Sequence, residues 1–277
     1  MDASDGTGAV GSADAALPPF EGKPVTRERL EFDFERHVRL FARFVPVGPE
    51  TRILDVGCGS GWFPVLCRRH GLSCRGIEVR PYMVDYARDL GRRLGVEPDI
   101  VCGDAQAMDL GHEAYDVVMA TSVLEHLPAW PRVVRSAFRA LKPGGLLYLF
   151  ASNKFSLASG EYALPLYGWL PRTWRRRIRV RRDPGILRWG GFDWNQFTFP
   201  ELRAALRRAG FAQVLDPVDL HDPDRLGLPR WWKVAVLRFL KRFRGLRDAA
   251  LLFAEGTQFV CIKGRPADGR GTPCTSA

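Results

Sequence analysis

Short apolar runs alternate with amphipathic stretches between residues 27 and 150 of the chain. The run ILDV at 53–56 is short and apolar and ends at a cluster of glycines, which is typical of a buried parallel strand that enters a tight turn. The next stretch, WFPVLCRRHG, has apolar residues at near-helical spacing and ends at Gly71, a predicted helix C-cap. The pattern therefore predicts a strand, a glycine loop and a helix.

The same alternation predicts six further strands. SCRGIEV, DIVC, YDVVMAT and LLYLF read as strands two to five, and LLYLF follows the predicted turn LKPGG. FTFPELRAALRRAGFAQVLDP reads as a capped helix that stops at Gly210 and a sixth strand, and GTQFVCIKGR reads as the seventh. Before the first strand, one helical face carries apolar side chains, namely Leu30, Phe34, Val38, Phe41 and Val45.

The glycine loop has glycines at alternate positions, Gly57, Gly59 and Gly61, directly after Asp55. Glycine tolerates positive φ and has no Cβ, so the backbone can turn sharply and its amides can approach a ligand closely. Glu78 ends the second strand and lies 21 residues after Gly57, close to the roughly 20 expected for an acid that binds a ribose hydroxyl. This spacing predicts a nucleoside-binding site.

A second group of residues follows the third and fourth strands. Asp104 and Ala105 come just after the third strand, at the edge where ligands bind in open parallel sheets. The fourth strand leads to Glu125 and His126. The loop spacing G-C-G-S-G differs from the G-x-G-x-x-G of dinucleotide-binding proteins, which disfavours NAD as the ligand.

With these motifs the chain resembles the class I S-adenosylmethionine-dependent methyltransferases. LDVGCGSG, GIEV, GDAQAMDL, YDVVMATSVLEHLP and LKPGGLLYLF match the family in this order across residues 53–150. VLEHLP is similar to the same segment in methyltransferases of ubiquinone biosynthesis and secondary metabolism. The resemblance implies an α/β fold: a Rossmann-like seven-stranded sheet, mostly parallel with an antiparallel last strand, with helices on both faces and S-adenosyl-L-methionine as cofactor.

The resemblance also implies a role for each matching residue. Glu78 would bind the ribose hydroxyls, and Asp104 with Ala105 would face the adenine amino group. Met83 and Thr121 are further candidates, for contacts to the adenosine and the methionine. We interpret Cys58 as a small filler in the loop rather than a nucleophile. The residues expected around the methionine end are Asp55, Gly57, Gly59 and Gly61.

The sequence predicts a disordered N-terminal tail at 1–24, one methyltransferase domain at 25–265 and a flexible C-terminal tail at 266–277. Two substrate-side insertions are predicted at about 152–194 and about 220–255, where loops form acceptor sites. The start of the chain lacks the basic and apolar regions of a signal peptide. The six cysteines form no C-x-x-C pair, so we expect reduced thiols and a cytoplasmic protein.

Positive charge is concentrated in the insertions. Residues 151–250 hold 20 Lys and Arg against 9 Asp and Glu, while the whole chain has a net charge of +10. The segment 230–247 predicts a basic amphipathic helix, which could lie at the inner face of a membrane, pack on its own domain with a solvated basic face, or contact nucleic acid. Its predicted apolar side comprises Trp232, Ala235, Val236, Phe239, Leu240, Phe243 and Leu246, and its basic side Arg230, Lys233, Arg238, Lys241 and Arg244.

The segment after the fourth strand favours a small acceptor. It reads ATSVLEH, whereas methyltransferases of base amino groups commonly carry an Asn/Asp-Pro-Pro-Tyr motif there. We therefore predict methylation of a small-molecule or lipid-like acceptor, and the pattern slightly favours oxygen. An RNA methyltransferase and a non-catalytic cofactor-binding or scaffold protein on the same fold remain as alternatives. The oligomeric state is not predicted.

Two histidines are candidates for the reaction, and a third is a candidate for the pocket wall. A hydroxyl acceptor must lose a proton, and a histidine with a near-neutral pKa is suited to accept it. His126 and His221 are the predicted candidates for catalysis, and His37 on the first helix is a candidate pocket residue. Related enzymes are thought to bind a metal through Glu-x-x-Glu-His, but Ser122 stands at the first of these positions here, so we predict no metal.

Overall fold

The computed structural model describes Leu17 and residues 25–157, 164–187, 190–221 and 231–265. The predicted C-terminal tail, and the predicted N-terminal tail apart from Leu17, lie outside the described residues. The side chains of residues 231–233 and of Arg244 also lie outside them, as does Arg230. The proposed domain boundaries remain a prediction.

Seven strands form one sheet in the order β3-β2-β1-β4-β5-β7-β6. Strand β7 is antiparallel to both of its neighbours, and every other pair is parallel. The predicted mostly parallel sheet with an antiparallel last strand is confirmed. The strands are β1 (Arg52–Val56), β2 (Ser73–Glu78), β3 (Asp99–Cys102), β4 (Tyr115–Thr121), β5 (Leu141–Ser152), β6 (Gln213–Leu215) and β7 (Gly256–Ile262).

Helices cover both faces of the sheet, because successive side chains of the central strand point to opposite sides. Ile53 packs in one apolar cluster with residues of α1, α2 and α3, whereas Leu54 and Val56 pack in another with α4 and α6. The helices are α1 (Arg27–Phe41), α2 (Trp62–Arg69), α3 (Pro81–Arg93), α4 (Trp130–Ala140), α5 (Arg172–Arg182), α6 (Phe199–Arg208), α7 (Pro217–Leu220), α8 (Trp231–Arg242) and α9 (Arg244–Leu252). Two 3₁₀ turns lie at Leu124–His126 and Tyr167–Trp169.

Helix α1 has the apolar face that its sequence predicts. Phe34 and Phe41 are buried against the sheet, and the Thr26 hydroxyl caps the helix by accepting a hydrogen bond from the Arg29 amide. The helix ends at Phe41, so the buried side chain of Val45 reaches the same cluster from the following loop.

Strand β5 is longer than predicted, because it includes the segment LKPGG that reads as a turn. Tyr115 pairs with Leu141, but two residues later Val117 pairs with Leu146. The extra residues form an irregularity in the ladder, where the Lys142 ammonium donates to the Asp116 carboxylate at 2.8 and 2.9 Å. The turn residues are therefore accommodated within the strand as a bulge.

The two predicted insertions are held together by a buried side chain. Asn153, at the end of β5, donates its amide hydrogens to the carbonyls of Leu251, Leu252 and Ala254 at 2.9–3.1 Å. Leu251 and Leu252 form the last turn of α9, where helix carbonyls lack donors four residues ahead, and Ala254 follows the helix. One asparagine thus caps a helix of the second insertion from the start of the first.

Candidate active site

The loop between β1 and α2 has the shape that its glycines predict. Gly57, Gly59 and Gly61 have φ of 70°, 56° and 67°. A Cβ at Gly57 would lie 2.3 Å from the Val123 side chain, whereas a Cβ at Gly59 would meet nothing within 4 Å. Glycine is therefore required at position 57 by packing as well as by φ. At Gly59 the space beside the backbone is empty.

Glu78, at the end of β2, ties this loop to the sheet. The Gly59 amide donates to Glu78 Oε2 at 2.9 Å, while the amide and Nε of Arg80 donate to Glu78 Oε1 at 3.0 and 2.8 Å. The carboxylate is only 3% exposed, and Arg80 balances its charge. The predicted ribose-binding acid therefore also positions the glycine loop.

Asp55 lies at the end of β1 and is buried. Its burial, and then the charge of Glu78, raise the pKa of the Asp55 carboxyl from 3.8 to about 7. The protonated and charged forms are therefore present in similar amounts at neutral pH. A cationic ligand near this carboxyl would favour the charged form.

One cavity of about 380 Å³ collects the side chains at the carboxyl edge of the sheet. Thr121 contributes a hydroxyl that is buried and has no hydrogen-bond partner among the described residues. Burial raises the pKa of the Cys58 thiol, so it is uncharged, in keeping with a filler role. The predicted residues that line the cavity are Asp55, Gly57, Cys58, Gly59, Glu78, Met83, Asp104, Ala105, Thr121 and His126.

Two predicted residues lie outside this lining. Gly61 occupies the N-cap of α2, and a Cβ there would lie 2.4 Å from Ala87 Cβ, so it serves packing between α2 and α3. His221 follows α7 as an exposed residue, and its Nδ1 lies 2.6 Å from the Pro217 carbonyl oxygen. The fold does not bring His221 to the cavity with His126.

Sequence reasoning missed several lining residues. Arg80 and Trp62 follow recognised motifs directly, but nothing in the local pattern marks them as pocket residues. Gly190 and Gly191 belong to the first insertion. The sequence predicts that this insertion lies on the substrate side, but it does not indicate which of its residues reach the cavity. His37, the candidate pocket residue on α1, also lines the cavity.

The first insertion reaches the cavity because a clamp holds it on the turn after β4. The Asn195 side chain donates to the carbonyls of Leu124 and Leu127 at 3.1 and 2.8 Å, and its backbone amide donates to the Glu125 carbonyl at 3.0 Å. Glu125 is fully buried, and its Oε1 accepts from the Ser152 amide at 3.1 Å. Glu125 therefore joins this turn to the end of β5.

A buried polar cluster stabilises the same insertion. Asp193 is fully buried and forms an ion pair with Arg175 of α5. The Tyr167 hydroxyl and the Gln196 amide donate to its carboxylate at 2.8 and 2.7 Å. Removing one partner of such a pair leaves an uncompensated buried charge, so the cluster strongly favours this one arrangement.

Comparison with known proteins links this site to an activity. The family model described as a methyltransferase domain matches residues 54–149. The chain is 31% identical over 228 residues to 27-O-demethylrifamycin SV methyltransferase of Amycolatopsis mediterranei, covering 81% of this chain and 74% of that protein. It is 32% identical over 169 residues to ubiquinone biosynthesis O-methyltransferase of Methylobacterium nodulans, covering 58% of this chain and 60% of that protein.

Solved structures share the fold at lower identity. An S-adenosylmethionine-dependent methyltransferase from Mesorhizobium loti aligns with a TM-score of 0.51 and 20% identity, covering 84% of this chain and all of that chain. The [4+2]-cyclase SpnF aligns with a TM-score of 0.50 and 22% identity, covering 84% of this chain and 82% of that chain. The fold thus occurs in proteins named for different reactions, so the activity must be argued from the site.

The raised pKa of Asp55 predicts how stability depends on pH. Between about pH 4 and about pH 7 the folded state holds a proton that the unfolded state has lost, so this group lowers the free energy of unfolding as pH rises through that window. The expected loss is on the order of 4 kcal/mol, and Asp55→Asn should remove it. Urea unfolding at several pH values measures both proteins, with Glu97→Gln as an exposed control. Parallel pH curves for wild type and Asp55→Asn would contradict the assignment.

Proposed function

The chain belongs to the class I S-adenosylmethionine-dependent methyltransferases, and from this premise we propose that it methylates a hydroxyl oxygen of a small-molecule or lipid-like acceptor. The observation that carries the proposal is one cavity that combines the predicted cofactor residues with Gly190 and Gly191 of the first insertion. Both relatives named above methylate small molecules, and the ubiquinone enzyme is named for an oxygen acceptor. These relatives favour this proposal over an RNA methyltransferase or a scaffold protein.

The residues of the cavity fit S-adenosylmethionine. The open backbone at Gly59 leaves room for a ligand beside the loop, and the buried Thr121 hydroxyl has a free hydrogen-bonding capacity within the described part of the chain. Met83 and Ala105 supply buried apolar surface, as an adenine ring requires. When bound, the cofactor supplies a methyl group that its sulfonium activates.

We assign the cofactor roles as the family resemblance implies. Glu78 accepts hydrogen bonds from the ribose hydroxyls with the lone pairs that Gly59 and Arg80 leave available. Asp104 faces the adenine amino group; its carboxylate also accepts from the Gln106 amide at 2.8 Å, which fixes its turn. The charged form of Asp55 offsets the cationic methionine end. The remaining work of the protein is to hold the acceptor in line in a water-poor pocket.

His126 and His221 differ as candidates for catalysis. His126 lines the cavity at the end of the 3₁₀ turn and stays a prediction for the proton transfer. His221 is exposed and lies outside the cavity lining, so it is the weaker candidate for the proton transfer.

We also propose that the enzyme associates with an anionic membrane through α8 and α9, at the inner face of the membrane. The described residues contain no helix that is long and apolar enough to cross a bilayer. Only part of the predicted apolar side of α8 is exposed, since Leu240 packs with Leu237 against the core. The exposed apolar stripe comprises Val236, Phe239, Phe243 and Leu246, each 48–52% exposed.

Charge complementarity supports anionic lipid as the proposed partner of this surface. Arg238, Lys241 and Arg242 are exposed beside the apolar stripe. An apolar stripe flanked by basic side chains is the pattern of a helix that lies in the headgroup region of a bilayer. The first insertion adds Trp169, 44% exposed, whose ring lies 6.3 Å from that of the exposed Phe253.

Cofactor binding tests the methyltransferase assignment. Isothermal calorimetry should detect S-adenosylmethionine binding, and Glu78→Ala should weaken it by about 1 to 3 kcal/mol, because hydrogen bonds to a charged group are lost. Glu97→Ala removes an exposed acid outside the cavity and should bind like wild type. Absence of binding by wild type would overturn the cofactor assignment, whereas unchanged affinity in Glu78→Ala would overturn only its ribose role.

Methyl transfer with labelled cofactor tests the acceptor class. We expect the label in an ether product when the enzyme is incubated with a metabolite extract, 27-O-demethylrifamycin SV or a catechol, and a lower rate with Glu78→Ala at limiting cofactor. Label found only in amines or in RNA would contradict an oxygen acceptor. Mass spectrometry of the labelled product identifies the methylated atom.

Vesicle sedimentation tests membrane association. Wild type should bind vesicles of phosphatidylcholine mixed with phosphatidylglycerol, more weakly at high salt, because salt screens exposed charges. Phe239→Ser should lower the partition coefficient about fivefold or more, since about 1 to 2 kcal/mol of apolar burial is lost. Phe32→Ser, which changes a 57% exposed residue of α1, is the matched control.

Circular dichroism should show both of these serine variants folded. Equal binding by the two variants, or tight salt-sensitive RNA binding that survives Phe239→Ser, would contradict the membrane proposal.

A further inference from the structure

His37 is a buried histidine on α1, the helix that packs on the sheet beside the cavity. It lies on α1, is 7% exposed, and reaches the cavity that holds the predicted cofactor residues. Aromatic rings surround its imidazole in edge-to-face contact, with ring centroids 5.3–6.1 Å away: Phe41, Trp62, Phe63 and Tyr148. This packing holds the ring in one orientation at the wall of the cavity.

One hydrogen bond determines which nitrogen of His37 carries the proton. Nδ1 lies 2.6 Å from the Asp33 carbonyl oxygen, and a carbonyl can only accept, so Nδ1 must be the donor. In the neutral ring Nε2 therefore keeps its lone pair. Among the described residues Nε2 has no hydrogen-bond partner.

The surroundings of His37 keep the ring neutral. Burial lowers the pKa of His37 below 6.5, and the charge of Arg36 adds to this effect. The bond to the Asp33 carbonyl and the charge of the Asp33 carboxylate oppose it without reversing it. From β5 the ring faces Tyr148, whose own pKa is raised by burial, and from α2 it faces only the rings of Trp62 and Phe63. At neutral pH the ring is thus able to accept a proton.

We propose that Nε2 of His37 is the proton acceptor for the acceptor hydroxyl, a role that rests on the proposed O-methylation. The O–H bond breaks and its proton moves to Nε2, while an oxygen lone pair forms the new bond to the methyl carbon. The electron pair of the broken carbon–sulfur bond stays on sulfur, which leaves as a neutral thioether. The imidazolium then releases its proton to water.

His126 is the rival within the same cavity. It ends the 3₁₀ turn after β4, and its Nδ1 is buried. In His37, Nδ1–H donates to a backbone carbonyl, which leaves Nε2 as the basic nitrogen, and the ring lies between aromatic side chains. We therefore place His37 ahead of His126 for the proton transfer.

Nitrogen NMR of the wild-type protein tests this inference without any turnover. Long-range ¹H–¹⁵N spectra of the labelled enzyme should show His37 as the Nδ1–H tautomer from about pH 6 to about pH 8, with the signals assigned by their loss in His37→Gln. An Nε2–H tautomer, or a charged ring at neutral pH, would overturn the proposal.

Kinetics of matched variants provide the second test. His37→Gln places an amide of similar length in the wall without a basic nitrogen, and it should lower the turnover rate about 100-fold or more with a hydroxyl acceptor that wild type methylates. Its cofactor affinity by calorimetry should stay within about twofold of wild type, since His37 is not assigned to cofactor binding. His112→Gln changes an exposed histidine outside the cavity lining, so it is the matched control and should keep the wild-type rate, and His126→Gln is measured beside it as the rival.

The pH dependence distinguishes a base from a merely structural residue. The wild-type rate should fall at acid pH as His37 becomes protonated, and this fall should be absent in His37→Gln. A full rate in His37→Gln, or the larger loss in His126→Gln, would overturn the role of His37 alone. Wild type that binds the cofactor and methylates only amines would overturn both this role and the proposed function.

Discussion

The carboxylate of Glu78 is the contact on which the site depends. It accepts from the Gly59 amide of the loop after β1 and from Arg80 at the start of α3, so one buried side chain joins three elements at the carboxyl edge of the sheet. Parallel strands end at a common edge, which is why residues distant in sequence meet there. The loop requires glycine at position 57, because its φ is positive and the Val123 side chain leaves no room for a Cβ there.

A second constraint decides how the cavity is closed. Helix α5 of the first insertion consists mostly of arginine, and its buried residue is Arg175, so this helix does not hold the insertion through an apolar face. It is ordered instead by the buried Asp193–Arg175 pair and by the Asn195 clamp on the turn after β4. Separating the two partners would leave an uncompensated buried charge, which disfavours other arrangements of the insertion. The same insertion brings Gly190 and Gly191 to the cavity, so the polar cluster and the pocket wall are one structural unit.

Three surfaces of the molecule differ in charge and polarity. The proposed cofactor side carries buried acids, and the charge of Glu78 contributes to the raised pKa of the Asp55 carboxyl. The insertions carry the excess positive charge and an exposed apolar stripe on α8. The wall formed by α1 is aromatic and contributes a neutral histidine. These three surfaces match the cationic cofactor, the anionic membrane and the apolar acceptor that we propose.

Local sequence determined the seven strands, the turn at Gly57 to Gly61 and the position of Glu78, because backbone conformation and strand periodicity depend on neighbouring residues. Tertiary structure decided what depends on contacts between distant elements. It extended β5 over LKPGG, turned Leu240 of α8 inward while Phe239 stayed exposed, and brought His37 but not His221 to the cavity. A helical repeat shows which residues share a face, but only packing decides which face meets the core and which histidine meets a ligand.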